Sequence, residues 1–248
     1  MKKLSQVLAL AVLCPFLLAG GRAIPAPQGA ISVEHIRCGA NNCYIVSQGE
    51  RAILVDTATA QYRDTILKKC RAQNVRLIVL THGHYDHAQN AAWLARELGV
   101  PIAMHTADLP VLEEMPVPKA HTLLGWIMAG AMWLQVQPGL RAILSWLNDN
   151  TVPAFETDIL LKDGDSLAAF GVDATVIELP GHTLGSIGLK VGDSLLVGDA
   201  LMNILWPQKS LHYLDSAAME RSAEKISGYG SGVTVYFGHG DPVPNRNW

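Results

Sequence analysis

Positive charge is scarce and scattered in this chain. Its 19 Lys and Arg against 22 Asp and Glu leave a net charge of −3. Beyond Lys2-Lys3 the one basic group is Lys68-Lys69-Cys70-Arg71, which reads as a solvated helix end. A surface for holding nucleic acid needs a denser basic stripe, so that class of partner is excluded. No Gly-x-Ser-x-Gly elbow is present, no cysteine has a motif partner, and no dinucleotide fingerprint occurs, which removes the common side-chain nucleophiles and nicotinamide chemistry. Cysteine is sparse as well. Without Cys14, which falls in the leader segment, Cys38, Cys43 and Cys70 remain, an odd number that cannot complete a disulfide framework. Cys38 and Cys43 could join across Gly39-Ala40-Asn41-Asn42, but Cys43-Tyr44-Ile45-Val46 reads as a core strand and favours two buried thiols.

Long apolar runs are few, and each has a distinct reading. Residues 1–23 combine a basic start, an apolar stretch from Leu4 to Ala19 and small residues at Gly21 and Ala23. That pattern predicts a cleaved export signal and a periplasmic or secreted protein, with an uncleaved membrane anchor as the alternative. Leu17-Leu18-Ala19-Gly20-Gly21 has glycine where a lipidated cysteine would stand, which argues against lipid attachment. Residues 24–248 are expected to form one domain, since 49% of the chain is hydrophobic and 17% charged.

The second apolar run lies in a segment spanning about 115–155, where Leu123 to Leu134 carries Trp126 and Trp133, Pro138-Gly139 interrupts, and Trp146 follows. Half of it is too short to cross a bilayer, so a helical hairpin is expected. Extra core or a homodimer contact, a lid over an apolar substrate, and contact with a membrane surface are its three readings.

Elsewhere periodicity and punctuation predict strands at 31–36, 43–47, 51–55, 75–80, 100–104, 158–161, 173–179, 185–191, 194–198 and 233–237. Helices are expected at 60–72, at 88–98 with Gly99 closing it, and at 215–227. Such alternation suits two sheets with helices outside them.

What the sequence does have is a dense ligand cluster, Thr81-His82-Gly83-His84-Tyr85-Asp86-His87, placed directly after the apolar run Val75 to Leu80. In extended chain residues i and i+2 point the same way, so His82 and His84 can converge on one cation while the next turn carries Asp86 and His87 toward a second. Three further segments follow apolar runs and offer one ligand each beside a glycine: Pro180-Gly181-His182-Thr183, Gly198-Asp199-Ala200 and Gly238-His239-Gly240. Five imidazoles and two carboxylates suffice for two cations with a coordination position left open. Zinc is the first expectation, and iron or manganese suit the same donors. His35, His105 and His121 lack such a context and read as surface or packing residues.

These segments, with Asp56 in Leu54-Val55-Asp56-Thr57, resemble the motifs of the metallo-β-lactamase superfamily over residues 31–240. The resemblance implies an α/β fold, a four-layer αββα sandwich, here with a helical insert. It implies that His82, His84 and His182 hold one metal, that Asp86, His87 and His239 hold the other, and that Asp199 bridges them. Asp56 is similar to the family's supporting acid, which orients a ligand; by itself it could also be a strand-end turn former.

The implied reaction is hydrolysis by a metal-bridging hydroxide, with Asp86 and Asp199 as the acting carboxylates. The bridging aspartate resembles the glyoxalase II-like branch, pointing to a small thioester, lactone or other ester. The chain stops soon after the last motif, so the C-terminal region with which glyoxalase II binds glutathione is not expected. A β-lactamase-type amide hydrolase and a non-catalytic metal-binding protein are the alternatives. The loop from Met202 to Tyr213, with Trp206, His212 and Tyr213, is the candidate substrate loop or else a plain surface connection.

Overall fold

The computed structural model describes residues 27–114, 116, 118–120, 122–123, 125–127, 129–130 and 151–248. The leader expected at 1–23, most of the 115–155 insert with its hairpin, and His121 lie outside the described residues.

A strand that alternates sides can serve two cores at once, and that is how the first sheet is built. It contains β1 (Ile31–Cys38), β2 (Asn41–Gln48), β3 (Arg51–Val55), β4 (Val75–Val79) and β5 (Ile102–His105), and, past a short β6 (Lys119–Ala120) that pairs elsewhere, β7 (Ile159–Leu161). The order is β1-β2-β3-β4-β5-β7, antiparallel through β3 and parallel from β3 onward. Cys43, Ile45, Ala52, Leu54 and Ile78 form one core cluster with Ile66, Leu67 and Cys70 of α1 (Arg63–Ala72). Their neighbours Tyr44, Val46, Ile53, Val55 and Val79 form another cluster with the second sheet.

That second sheet takes β8 (Ala174–Glu178), β9 (Ile187–Val191) and β10 (Ser194–Gly198). Three two-residue strands follow, β11 (Leu201–Met202), β12 (Gln208–Lys209) and β13 (His212–Tyr213), and then β14 (Thr234–Phe237) and β15 (Val243–Pro244) complete the sheet. Its order is β15-β14-β10-β9-β8, with β10 and β14 parallel. Its other face, through Ile177, Leu179, Leu195, Val197 and Val235, packs on Ala223 and Ile226 of a helix at Ser216–Ser227. Three apolar layers alternating helix, sheet, sheet, helix make the αββα sandwich, as expected.

The helix expected at 88–98 is divided. A single turn, α2 (Tyr85–Ala88), is followed by α3 (Ala91–Leu98), which closes on Gly99 in the left-handed region as the sequence suggests. Asn90 lies at the break and uses its side-chain amide on the carbonyls of Thr57, Ala58 and Thr59, at 2.8, 3.3 and 2.7 Å. Residues 60–62 of the helix expected at 60–72 form a tighter 3₁₀ turn. A short helix, α4 (Leu109–Glu113), was not anticipated; the helix at Ser216–Ser227 is then α5, opened by the Asp215 carboxylate accepting from the Ala218 amide at 3.0 Å.

Cys38, Cys43 and Cys70 are buried free thiols in the first helix-sheet layer. His35 Nε2 donates to Asn42 Oδ1 at 2.7 Å and stacks on Tyr44, and His105 pairs with Glu178 at 3.2 Å, so both are packing residues. Among the described residues no helix is long and apolar enough to cross a membrane.

Candidate metal centre

Parallel strands end at the same rim, so β3 and β4 deliver Asp56 and the Thr81–His87 loop side by side. β10 and β14 likewise deliver Asp199 and His239 together. The result is one buried cluster containing all seven residues singled out as ligands. His82 Nε2 and His182 Nε2 lie 3.2 and 3.0 Å from His84 Nδ1. Ligand nitrogens on a tetrahedral zinc, each about 2.0–2.1 Å from the ion, are separated by about 3.3 Å, so the three imidazoles are already near coordination spacing. Asp86, His87 and His239 form a second group of the same size, and His82, His87 and Asp199 a third between them.

Asp199 reaches both sides. Its Oδ2 is 3.6 Å from His182 Nε2 and 3.2 Å from His239 Nε2, and its Oδ1 is 3.5 Å from His87 Nε2. Asp199 Oδ1 and His87 Nε2 are buried without a hydrogen-bond partner. Two buried lone-pair groups turned into one gap with no donor between them are what a cation-binding pair leaves in the protein alone. The donor set therefore fits two divalent ions.

The outer ring of contacts fixes which nitrogen four of the five imidazoles present. His87 Nδ1 bonds Asp56 at 2.9 Å, His82 Nδ1 bonds Thr81 Oγ1 at 3.0 Å, and His239 Nδ1 donates to the Ala40 carbonyl at 2.9 Å. His182 Nδ1 meets Ser210 Oγ at 2.9 Å and the His212 carbonyl at 3.1 Å. Each bond leaves Nε2 free for a metal. Asp56 itself accepts from the Thr81 amide and hydroxyl, both at 2.8 Å, so one carboxylate aligns ligands of both groups. It has φ 60°, which joins its strand-end turn to its supporting contacts.

Two glycines let the backbone come close. A Cβ on Gly238 would fall 2.1 Å from Asp199 Oδ1, and one on Gly198, whose φ is +52°, would fall 2.7 Å from the Thr81 side chain. Asn42 and Tyr44 hold the Phe237 carbonyl at 3.0 and 2.6 Å, bracing the loop that carries His239.

Electrostatically the centre divides in two. Burial, and next the neighbouring imidazoles, hold His82 and His182 well below the ordinary histidine range, and His84 is pushed down to about 3. Those three present lone pairs. Burial opposes charge on His87 and His239 too, but the carboxylates of Asp199 and Asp86 override it, and His239 rises to about 9. Burial would likewise raise Asp199, yet His239 and His87 keep its carboxyl well below the usual range. Protons on that side occupy the electrostatic place of a cation.

Of the candidate substrate loop, Trp206 is exposed, Tyr213 half-buried and His212 buried. The His212 ring lies 4.6 Å from that of His182 and 6.1 Å from that of His84, and neither of its nitrogens is hydrogen-bonded. Burial lowers its pKa, so it is a neutral imidazole with one donor and one acceptor uncommitted.

Sequence reasoning missed Asp108. This fully buried carboxylate accepts from the Gly83 amide at 2.7 Å and the Gly185 amide at 2.8 Å, tying the His82–His84 loop to the His182 loop. No local signal marks it, because its partners are 25 and 77 residues away. Thr81 and Ser210 were also missed; Thr81 alone had a signal, its position next to the first ligand.

A sequence description of the metallo-beta-lactamase superfamily matches residues 36–239. Hydroxyacylglutathione hydrolase 1 of Vibrio vulnificus is 25% identical over 211 residues, covering 85% of this chain and 66% of that protein. The human acyl-coenzyme A thioesterase MBLAC2 is 26% identical over 174 residues, covering 64% of this chain and 58% of its own. A di-iron-bound crystal structure of TTHA1623 shares the fold with a TM-score of 0.63 at 24% identity, covering 86% of this chain and 94% of the other.

Proposed function

Because the chain belongs to the metallo-β-lactamase superfamily, we propose that it is a two-metal hydrolase of a small thioester, lactone or other ester. The observation that carries this reading is Asp199, whose carboxylate lies within 3.6 Å of imidazoles from both ligand groups. His82, His84 and His182 would hold one ion and Asp86, His87 and His239 the other, with Asp199 shared. A divalent pair bound there would lower the pKa of water enough to supply hydroxide near neutral pH and would polarise the acyl oxygen.

The protein's own part is orientation and proton handling. Asp56, Thr81, Ser210 and the Ala40 carbonyl hold the imidazoles in one tautomer, so that no reorganisation is needed as charge develops. Asp86 Oδ2 stands 3.6 Å from His239 Nε2 and 3.8 Å from His87 Nε2, on the more open side of the centre, where it steers the attacking water and receives its proton. His212 is placed to hydrogen-bond an acyl group seated over His84 and His182. The names of two relatives, a hydroxyacylglutathione hydrolase and an acyl-coenzyme A thioesterase, favour acyl transfer to water over cleavage of a lactam amide. The motifs favour zinc, and export to the periplasm or medium remains part of this proposal.

The test is elemental analysis of the purified protein, followed by rates on an uncharged thioester, a lactone, a simple ester and a β-lactam. Two metals per chain and chelator-sensitive hydrolysis of the thioester or an ester are expected. Cleavage of the β-lactam alone would overturn the substrate assignment, and two metals with no turnover would favour a binding protein.

A further inference from the structure

Eight large hydrophobic side chains are exposed among the described residues, and seven of them come from three segments that adjoin the metal centre. Leu184, 58% exposed, is two residues past His182. Ile204, Leu205 and Trp206 follow Asn203, whose amide donates to the His239 carbonyl at 2.9 Å. Leu123, Trp126 and Ile127 flank Gly125, which lies against the Leu211 carbonyl, and the preceding β6 pairs Ala120 with His212. Each apolar segment is thus tied to a loop that carries or supports a ligand. Scattered exposed apolar residues need no explanation, but seven of eight falling on segments tied to a ligand or its support do.

The same segments carry no charge. Residues 122–130, 180–189 and 201–207 contain no Asp, Glu, Lys or Arg. A substrate recognised there by a carboxylate or phosphate near the scissile bond would need a cation to pair with it. An apolar chain needs only surface to cover.

We infer that this uncharged rim is the acyl subsite, and that the preferred substrates are thioesters or esters whose acyl part is an apolar chain of medium length. The inference rests on the hydrolase reading above and specifies its substrate. In the reaction the water oxygen bonds to the acyl carbon, the carbon–sulfur or carbon–oxygen bond breaks, and the thiol or alcohol leaves with a proton. The acyl chain lies along Leu184 and Trp206 while its carbonyl sits over the cluster.

The experiment is a series of acyl thioesters of N-acetylcysteamine from acetyl to decanoyl, assayed on the metal-loaded protein. Calorimetric binding of the corresponding free fatty acids runs alongside. Each added methylene that enters the rim should raise kcat/KM about two- to fourfold, the range for half to full burial of a CH₂ group. Trp206→Ser and Leu184→Ser should reduce the decanoyl-to-acetyl ratio at least fivefold, with metal content and melting temperature held.

Hydrolysis with equal kcat/KM along the series would overturn the acyl subsite and leave the hydrolase reading standing. No hydrolysis, but fatty-acid binding that tightens with length and weakens in Trp206→Ser, would overturn the hydrolase reading and support the rim as a chain-binding site. Binding of phosphatidylcholine vesicles, or a dimer broken by Trp206→Ser, without any dependence on chain length would assign the surface to a membrane or a second copy and overturn the inference.

Discussion

Replacing Asp108 gives a test that depends on none of the functional assignments. Its carboxylate accepts two backbone amide protons, from Gly83 at 2.7 Å and from Gly185 at 2.8 Å, and is fully buried. Hydrogen bonds to a charged acceptor contribute about 1.5–3 kcal/mol each, so the pair contributes about 3–6 kcal/mol gross. Burying the carboxylate offsets part of this, as its raised pKa shows: burial pushes it up against the Thr183 hydroxyl and the two amides that pull it down. Asp108→Ala removes both acceptors and leaves two buried N–H groups, for a net loss of about 2–4 kcal/mol. Asp108→Asn keeps one acceptor oxygen and should lose about half as much, because the other amide then faces an NH₂ group. The assay is urea denaturation of chelator-treated protein, followed by tryptophan fluorescence and far-UV circular dichroism. Because the two amides belong to the His82–His84 and His182 loops, Asp108→Ala should also lower metal affinity in the holoprotein. Stability of Asp108→Ala within about 0.5 kcal/mol of the parent would refute the reasoning.

Asp199→Ala removes the carboxylate shared by both groups, and metal analysis should fall from two ions per chain to one or fewer, with kcat reduced at least about a thousandfold. Asp56→Ala frees His87 Nδ1 and the Thr81 hydroxyl, and should weaken metal binding about 10- to 100-fold in a competition titration with a chelating dye. His212→Phe keeps the packing but removes both nitrogens; kcat/KM should drop at least about tenfold with metal content unchanged, and an unchanged rate would remove His212 from the substrate's surroundings.

The metal-free protein should be stable over a window bounded on both sides. His84, at about 3 when folded against 6.5 in the open chain, binds fewer protons folded, so stability is lost as pH falls from 6.5 toward 3. His239, raised to about 9, binds more protons folded, so its contribution is lost as pH rises through about 9. Urea midpoints measured across that range should peak between these limits, and a flat profile would contradict both shifts.

The ligand cluster was legible because each of its parts is local. His82, His84, Asp86 and His87 share six residues, and His182, Asp199 and His239 each stand beside a glycine after an apolar run. Strand alternation was legible for the same reason: Cys43-Tyr44-Ile45-Val46 is apolar throughout because successive side chains enter two different cores. The helix divided at Asn90 was less legible. Periodicity runs through 88–98, and only the carbonyls of Thr57, Ala58 and Thr59 explain why an asparagine interrupts it.

Residue types and spacings alone thus picked out the candidate ligands and the alternating burial of the strands, since those follow from donor atoms and a period of two. Tertiary structure decided which nitrogen His82, His87, His182 and His239 present, that Asp199 reaches both groups, and that Asp108 ties two distant loops together. It also decided which apolar side chains on the segments next to the ligands are left in water. Each of these depends on groups far apart in the chain meeting at a few ångströms, and hydrogen-bond and contact energies act over that distance whatever the separation in sequence.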